Sequence, residues 1–193
     1  SVRAQGTKDN PQLDFFGSLR GRMKTGAPFT AKFDGAMRDK RLDLDLKVTD
    51  RGDDKPLFTL DVMAPLNLPP GGKPSLGGGR FSIKAALPET TIARLAALSP
   101  NPLPDNVDPD ATIAFALDLG GTTARPNGDW RFDFEGDLLR RRGYAKAPAR
   151  QKVAIAGTLR PADGGLTALD NDFDLHLDAG APAFVAHHTR GTF

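Results

Sequence analysis

The chain contains no cysteine, which excludes disulfides, thiolate metal ligands and a cysteine nucleophile, and removes the usual compositional clue to redox compartment. Tyrosine and tryptophan occur once each, which argues against a sugar-stacking platform. No apolar run approaches the roughly 20 residues that span a bilayer as a helix. Charge of one sign is also missing. The 26 basic and 24 acidic residues nearly cancel, leaving no broad field to draw in a polyanion, and nucleic acid is not an expected partner. The chain opens at Ser1 with neither a methionine nor a signal-peptide pattern, and reads as a fragment of a larger protein.

What is present is alternation. Leu42, Leu44, Leu46 and Val48 interleave with Asp43, Asp45, Lys47 and Thr49. Successive side chains of a strand point to opposite faces, so this pattern makes one face apolar and the other charged. The same phase returns at Phe33; at Phe81 and Ile83; at Ile113, Phe115, Leu117 and Leu119; at Trp130, Phe132 and Phe134; at Val153 and Ile155; and at Phe173, Leu175 and Leu177. Twenty-one glycines and sixteen prolines suit many strands joined by tight turns. The expected fold is all-β: long antiparallel strands in an open half-barrel, with a hydrophobic concave face and one short helix.

The organisation follows from the breaks in the alternation. Residues 1–10 are polar and irregular and are expected to be disordered. A single continuous domain then covers 11–193. A Gly/Pro-rich stretch at 67–79 is expected to be a flexible loop. Over 89–98 the period changes to helical, with Ile92, Leu95 and Leu98 on one face, Pro88 at the start and Pro100 at the stop.

Chemistry-bearing constellations are sparse. His176 lies between Asp174 and Asp178 at strand spacing, and His187 and His188 are adjacent, but no three ligands converge in sequence, so no metal and no cofactor are expected. Asp43 with Asp45 and Asp172 with Asp174 share a face in pairs, as acid/base catalysis requires, yet their alternation with apolar residues fits a solvated sheet face. The glycines at 71–72 and 77–79 precede neither a Lys-Ser or Lys-Thr pair nor a helix, so they make no phosphate loop. Arg140, Arg141, Arg142, Lys146 and Arg150, with Tyr144, form a basic cluster suited to phosphate head groups or simply to a solvated connection. Enzyme activity is not expected.

Between Ile83 and Gly121 the chain runs strand, a short Pro-x4-Ala-x-Leu segment ending at Ser99-Pro100, a proline-rich loop and a strand. Gly121-Thr122 follows, with Pro126 and then another alternating strand, and Gly128 stands close after the proline. This arrangement resembles the TamB and AsmA-like families of Gram-negative envelope proteins, most clearly over residues 80–180. The resemblance implies a taco-shaped β-groove in the periplasm, within a parent protein anchored in the inner membrane. Its apolar lining would hold phospholipid acyl chains in transit between inner and outer membranes. The lining candidates are the apolar residues of the alternating runs named above, from Phe33 to Leu177. The resemblance equally implies a scaffold or chaperone for outer-membrane β-barrel assembly, with a barrel partner of the TamA type. A closed β-sandwich with its apolar faces packed together is the third reading of the same pattern.

Overall fold

The computed structural model describes the chain apart from residues 8–9, 23–26, 51–54, 68, 70–72, 74, 100, 138–149, 163–164, 179–183, 188–190 and 193. Thirteen antiparallel strands form one sheet that does not close. They are β1 (Val2–Thr7), β2 (Asn10–Arg22), β3 (Pro28–Arg38), β4 (Arg41–Asp50), β5 (Phe58–Asn67), β6 (Ser75–Leu76) and β7 (Arg80–Thr91). After the helix α1 (Ile92–Ala96) come β8 (Thr112–Thr122), β9 (Arg125–Gly136), β10 (Gln151–Ala162), β11 (Gly165–Asp178), β12 (Phe184–His187) and β13 (Gly191–Thr192). The main path orders them as they occur in the chain, with β6 beside β5 and β13 beside β11 as short side branches. The all-β expectation of one open half-barrel with one short helix holds. The sandwich does not, because no second sheet exists among the described residues to pack against the first.

Local sequence explains the hairpins. Asp39 and Lys40 both have positive φ, 50° and 60°, between the paired Arg38 and Arg41, the two-residue geometry whose twist matches that of the flanking strands. The Gly-Thr…Pro stretch makes the β8–β9 hairpin: Gly121 has φ 104° opposite Pro126, and Thr122 accepts a hydrogen bond on Oγ1 from the Arg125 backbone N–H at 3.1 Å. A Cβ at position 121 would stand 2.6 Å from the Arg125 carbonyl oxygen, so glycine is required there on two counts.

Three expectations need correction. Residues 1–10 are not disordered throughout, since Val2–Thr7 pairs residue by residue with Asn10–Phe15. The alternation there, Val2, Ala4 and Gly6, is too short and too small to read without the neighbouring strand. The 67–79 stretch is not all loop, because Ser75–Leu76 pairs with Leu66–Asn67. The helix does not start at 89. Pro88 to Thr91 continue β7 past a register shift, and Thr91 caps α1 by accepting from the Arg94 backbone N–H. The first-turn donors of Ile92 and Ala93 go to the carbonyls of Ala111 and Pro109, so the loop before β8 takes the role that a longer helix would have filled.

One ion pair ties α1 to a distant strand. Arg94 Nε donates to both carboxylate oxygens of Asp50, at 3.0 and 2.9 Å, and Nη2 donates as well. The Asp50 side chain is only 7% exposed, and α1 contributes no buried residue of its own. Arg94→Ala will therefore take the guanidinium away from a buried carboxylate and cost about 2 kcal/mol of stability. Arg94→Lys will recover only part of this, since a lysine cannot reproduce the fork. Urea unfolding of the two variants checks both statements.

Candidate functional site: an apolar sheet face

Strand pairing decides which side chains share a face, and the observed register puts every expected lining residue on the same one. Phe33 pairs with Leu46, Leu46 with Leu60, Leu60 with Ala85, Ala85 with Leu117, Leu117 with Trp130, Trp130 with Gly157 and Gly157 with Phe173. That transverse row crosses the sheet from β3 to β11. Flanking rows carry Leu44, Ile83 and Leu119 on one side, and Val48, Phe115, Phe132, Ile155 and Leu175 on the other. Ile113, Phe134, Val153 and Leu177 share a further row, while Leu42 and Phe81 lie at the opposite strand ends.

The register adds residues that the alternation alone did not single out. Leu13, Phe15 and Leu19 on β2, and Val62 and Leu60 on β5, belong to the same face. On β2 the signal was broken by the neighbouring Phe16, which falls on the charged face and is 57% exposed, and by Gly17.

Glycines shape the surface of this face. Phe33 lies over Gly17, where an added Cβ would come within 2.6 Å of the ring, and Phe29 lies over Gly21 in the same way. Phe15 lies over Gly35, so β2 and β3 trade ring for glycine in both directions. Trp130 crosses Gly157 and donates from Nε1 to Asn171 Oδ1 at 2.8 Å, with Phe173 6.4 Å away at a tilt of 50°. Rings that lie along the sheet rather than standing on it give a smooth apolar surface. The lining residues Leu44, Ile83, Phe115, Phe132 and Ile155 remain half-buried. Their shelter comes from sheet neighbours, because no second layer of strands covers them among the described residues.

The opposite face is charged and laced with ion pairs: Arg38–Asp14 at 2.6 Å, Arg41–Asp43 at 2.8 Å, Arg131–Asp133 at 2.6 Å and Lys84–Asp118 at 3.3 Å. All are solvent-exposed and individually weak. The Glu135 carboxyl is held below the usual carboxylate range, first by its bond with Lys152 and further by Arg150. A cleft of about 1020 Å³ opens on this side, lined by Asp61, Lys84, Asp118, Asp129, Arg131 and Asp172 among others. Its lining also takes in Leu60, Ala85, Leu117, Trp130, Gly157 and Phe173, the members of the transverse apolar row that lie between the charged residues along each strand. A twisted sheet is saddle-shaped, so each face can carry a hollow of its own.

The remaining candidates are dispersed among the described residues. Asp43 is bonded to Arg41 and Asp172 lies 4.0 Å from Arg160, while Asp45 and Asp174 are exposed on the same charged face. His176 stands exposed on the charged face. No group of three or more metal-ligating side chains is gathered among the described residues. Within the basic cluster, Arg150 bonds Glu135, while Arg140, Arg141, Arg142, Tyr144 and Lys146 lie outside the described residues. No described helix is long and apolar enough to cross a membrane. The chain matches no protein-family model, no curated protein and no solved structure.

Proposed function

We propose that this chain is a non-enzymatic lipid-binding segment of an envelope-spanning protein of the TamB and AsmA-like kind. Its apolar face holds phospholipid acyl chains and supports their passage between inner and outer membranes through the periplasm. The observation that carries the reading is the apolar face running through every main strand from β2 to β11, with no second layer of strands over it among the described residues. The nine strands from β2 to β11 on the main path, spaced about 4.8 Å apart, give that face a length of about 38 Å. An acyl chain in one leaflet spans about 15 Å, half the hydrocarbon core, so two fit end to end. Each methylene moved from water to such a surface contributes about 0.8 kcal/mol. A smooth surface with repeated apolar rows offers many similar resting positions, which suits movement along the face.

The test is to purify the protein from a Gram-negative host without detergent, extract it, and quantify co-purifying lipid by mass spectrometry against a soluble control handled alongside. The expected result is phospholipid enriched at least tenfold over that control. A folded protein that carries none would sink the lipid reading and favour the barrel-assembly scaffold instead.

A further inference from the structure

The cleft on the charged face sets a lane of small side chains beside a ladder of carboxylates. We propose that it docks an extended basic polypeptide segment, running across the strands, with a lysine or arginine at every fourth residue. Two neighbouring transverse rows of the charged face line the cleft from β4 to β11. In one, Thr59 pairs with Ala86 and Ala86 with Ala116, and Ala156 follows beyond Arg131, so this lane is floored mostly by small side chains. In the other, the pairing runs Asp45, Asp61, Lys84, Asp118, Asp129, Thr158 and Asp172. Of the nine charged residues in the lining, six are aspartates. Two of the three cations are already engaged, Lys84 with Asp118 and Arg131 with Asp133.

Like charges directly opposite each other on neighbouring strands cost stability. Asp45 pairs with Asp34 on one side and Asp61 on the other, and Asp118 pairs with Asp129. Asp34, Asp45 and Asp61 are exposed and have no cationic partner among the described residues. A solvated face needs charge, but alternating signs, as at Lys84 and Asp118, serve solubility without that repulsion. A cationic partner along the ladder would offset it. The spacing selects the partner. The Asp45–Asp61 and Asp118–Asp129 pairs are centred three strand spacings apart, about 14 Å, with Asp172 about 12 Å further on. An extended chain advances about 3.4 Å per residue, so side chains four residues apart stand about 14 Å apart on the same side. The full run from β4 to β11 is six spacings, about 29 Å, the length of eight or nine extended residues. No group of three metal-ligating side chains is gathered among the described residues, so the spread of carboxylates matches a long polycation better than a single ion. This docking uses the face opposite the one assigned to acyl chains and is measured without lipid, so either reading can fail alone.

The probe is a fluorescent nonapeptide with lysine at its first, fifth and ninth positions and serine or alanine between. Anisotropy titrations with the intact chain should show saturable binding that weakens as salt is raised. A peptide of the same composition with its three lysines adjacent should bind at least fivefold more weakly. The double variant Asp45→Asn/Asp61→Asn should weaken binding at least tenfold while raising the urea midpoint, because it relieves the in-register repulsion. Asp14→Asn/Asp43→Asn, the same charge change on the same face outside the cleft, should leave binding within twofold of the parent. No saturable binding up to about 1 mM would overturn the proposal. So would equal binding of the two peptides, or binding that survives Asp45→Asn/Asp61→Asn. A rise in melting temperature with calcium alone, abolished in that same variant, would assign the ladder to a metal and overturn it as well.

Discussion

Gly128→Ala will lower stability by about 3 kcal/mol, the upper end of what overpacking a well-ordered site costs. In β9, Gly128 pairs with Leu119 and faces the apolar side. A Cβ at this position would stand 2.7 Å from the Leu119 Cα and closer still to the Asp118 carbonyl oxygen. Both obstacles are backbone, so no rotamer change relieves them. The only relief is to separate β8 from β9, which loosens the hairpin set by Gly121, Thr122 and Pro126. Pro126 is among the most completely buried residues of the chain, so the hairpin end has little room to shift.

Gly78 provides the control, because an added Cβ there meets nothing within 4 Å, and Gly78→Ala should stay within about 0.5 kcal/mol of the parent. Urea unfolding followed by the fluorescence of Trp130, the single tryptophan, reads both variants. Equal stabilities would show that the two strands are not held as tightly at Leu119 as the structure places them.

The difference between these two glycines marks how far sequence reading reaches. Alternation over Arg41–Asp50 or Thr112–Thr122 is long and strict, and a period of two leaves one choice of face, so those strands and their lining residues were legible directly. A glycine carries no phase. Whether it lies beneath an aromatic ring, as Gly157 does under Trp130, or in open space, as Gly78 does, depends on a neighbour in another strand. The same dependence hid β1, whose small residues gain meaning only from Phe15 and Leu13 opposite them. At α1 the helical spacing of Ile92, Leu95 and Leu98 was visible, but its start was displaced because Thr91 and the carbonyls of Pro109 and Ala111 competed for the first turn. The Asp50–Arg94 tie spans 44 residues, and nothing local in the sequence announces it.

The largest functional effect is expected from placing a carboxylate on the apolar face. Leu44→Asp on β4 and Phe132→Asp on β9 each put a charge into a row that has only apolar or glycine neighbours across the strands: Gly35 and Val62 beside Leu44, Phe115 and Ile155 beside Phe132. Both positions are half-buried, so the new carboxylate can reach water at the surface and the sheet can still form. An acyl chain crossing that point would have to strip water from the charge, at a cost of several kcal/mol. Co-purifying phospholipid should fall at least tenfold in each variant, corresponding to about 1.4 kcal/mol or more of lost binding. Thr59→Asp adds the same charge on the opposite face, beside Lys47, and should leave the lipid load unchanged. Strands β4 and β9 are four spacings apart, about 19 Å, which is more than one acyl length in a leaflet. Loss at both sites would therefore mean that the face acts as one continuous path, because two independent short sites would each retain the lipid held at the other. Retention of the full load in both variants, with melting curves matching the parent, would remove the apolar face from any role in carrying lipid.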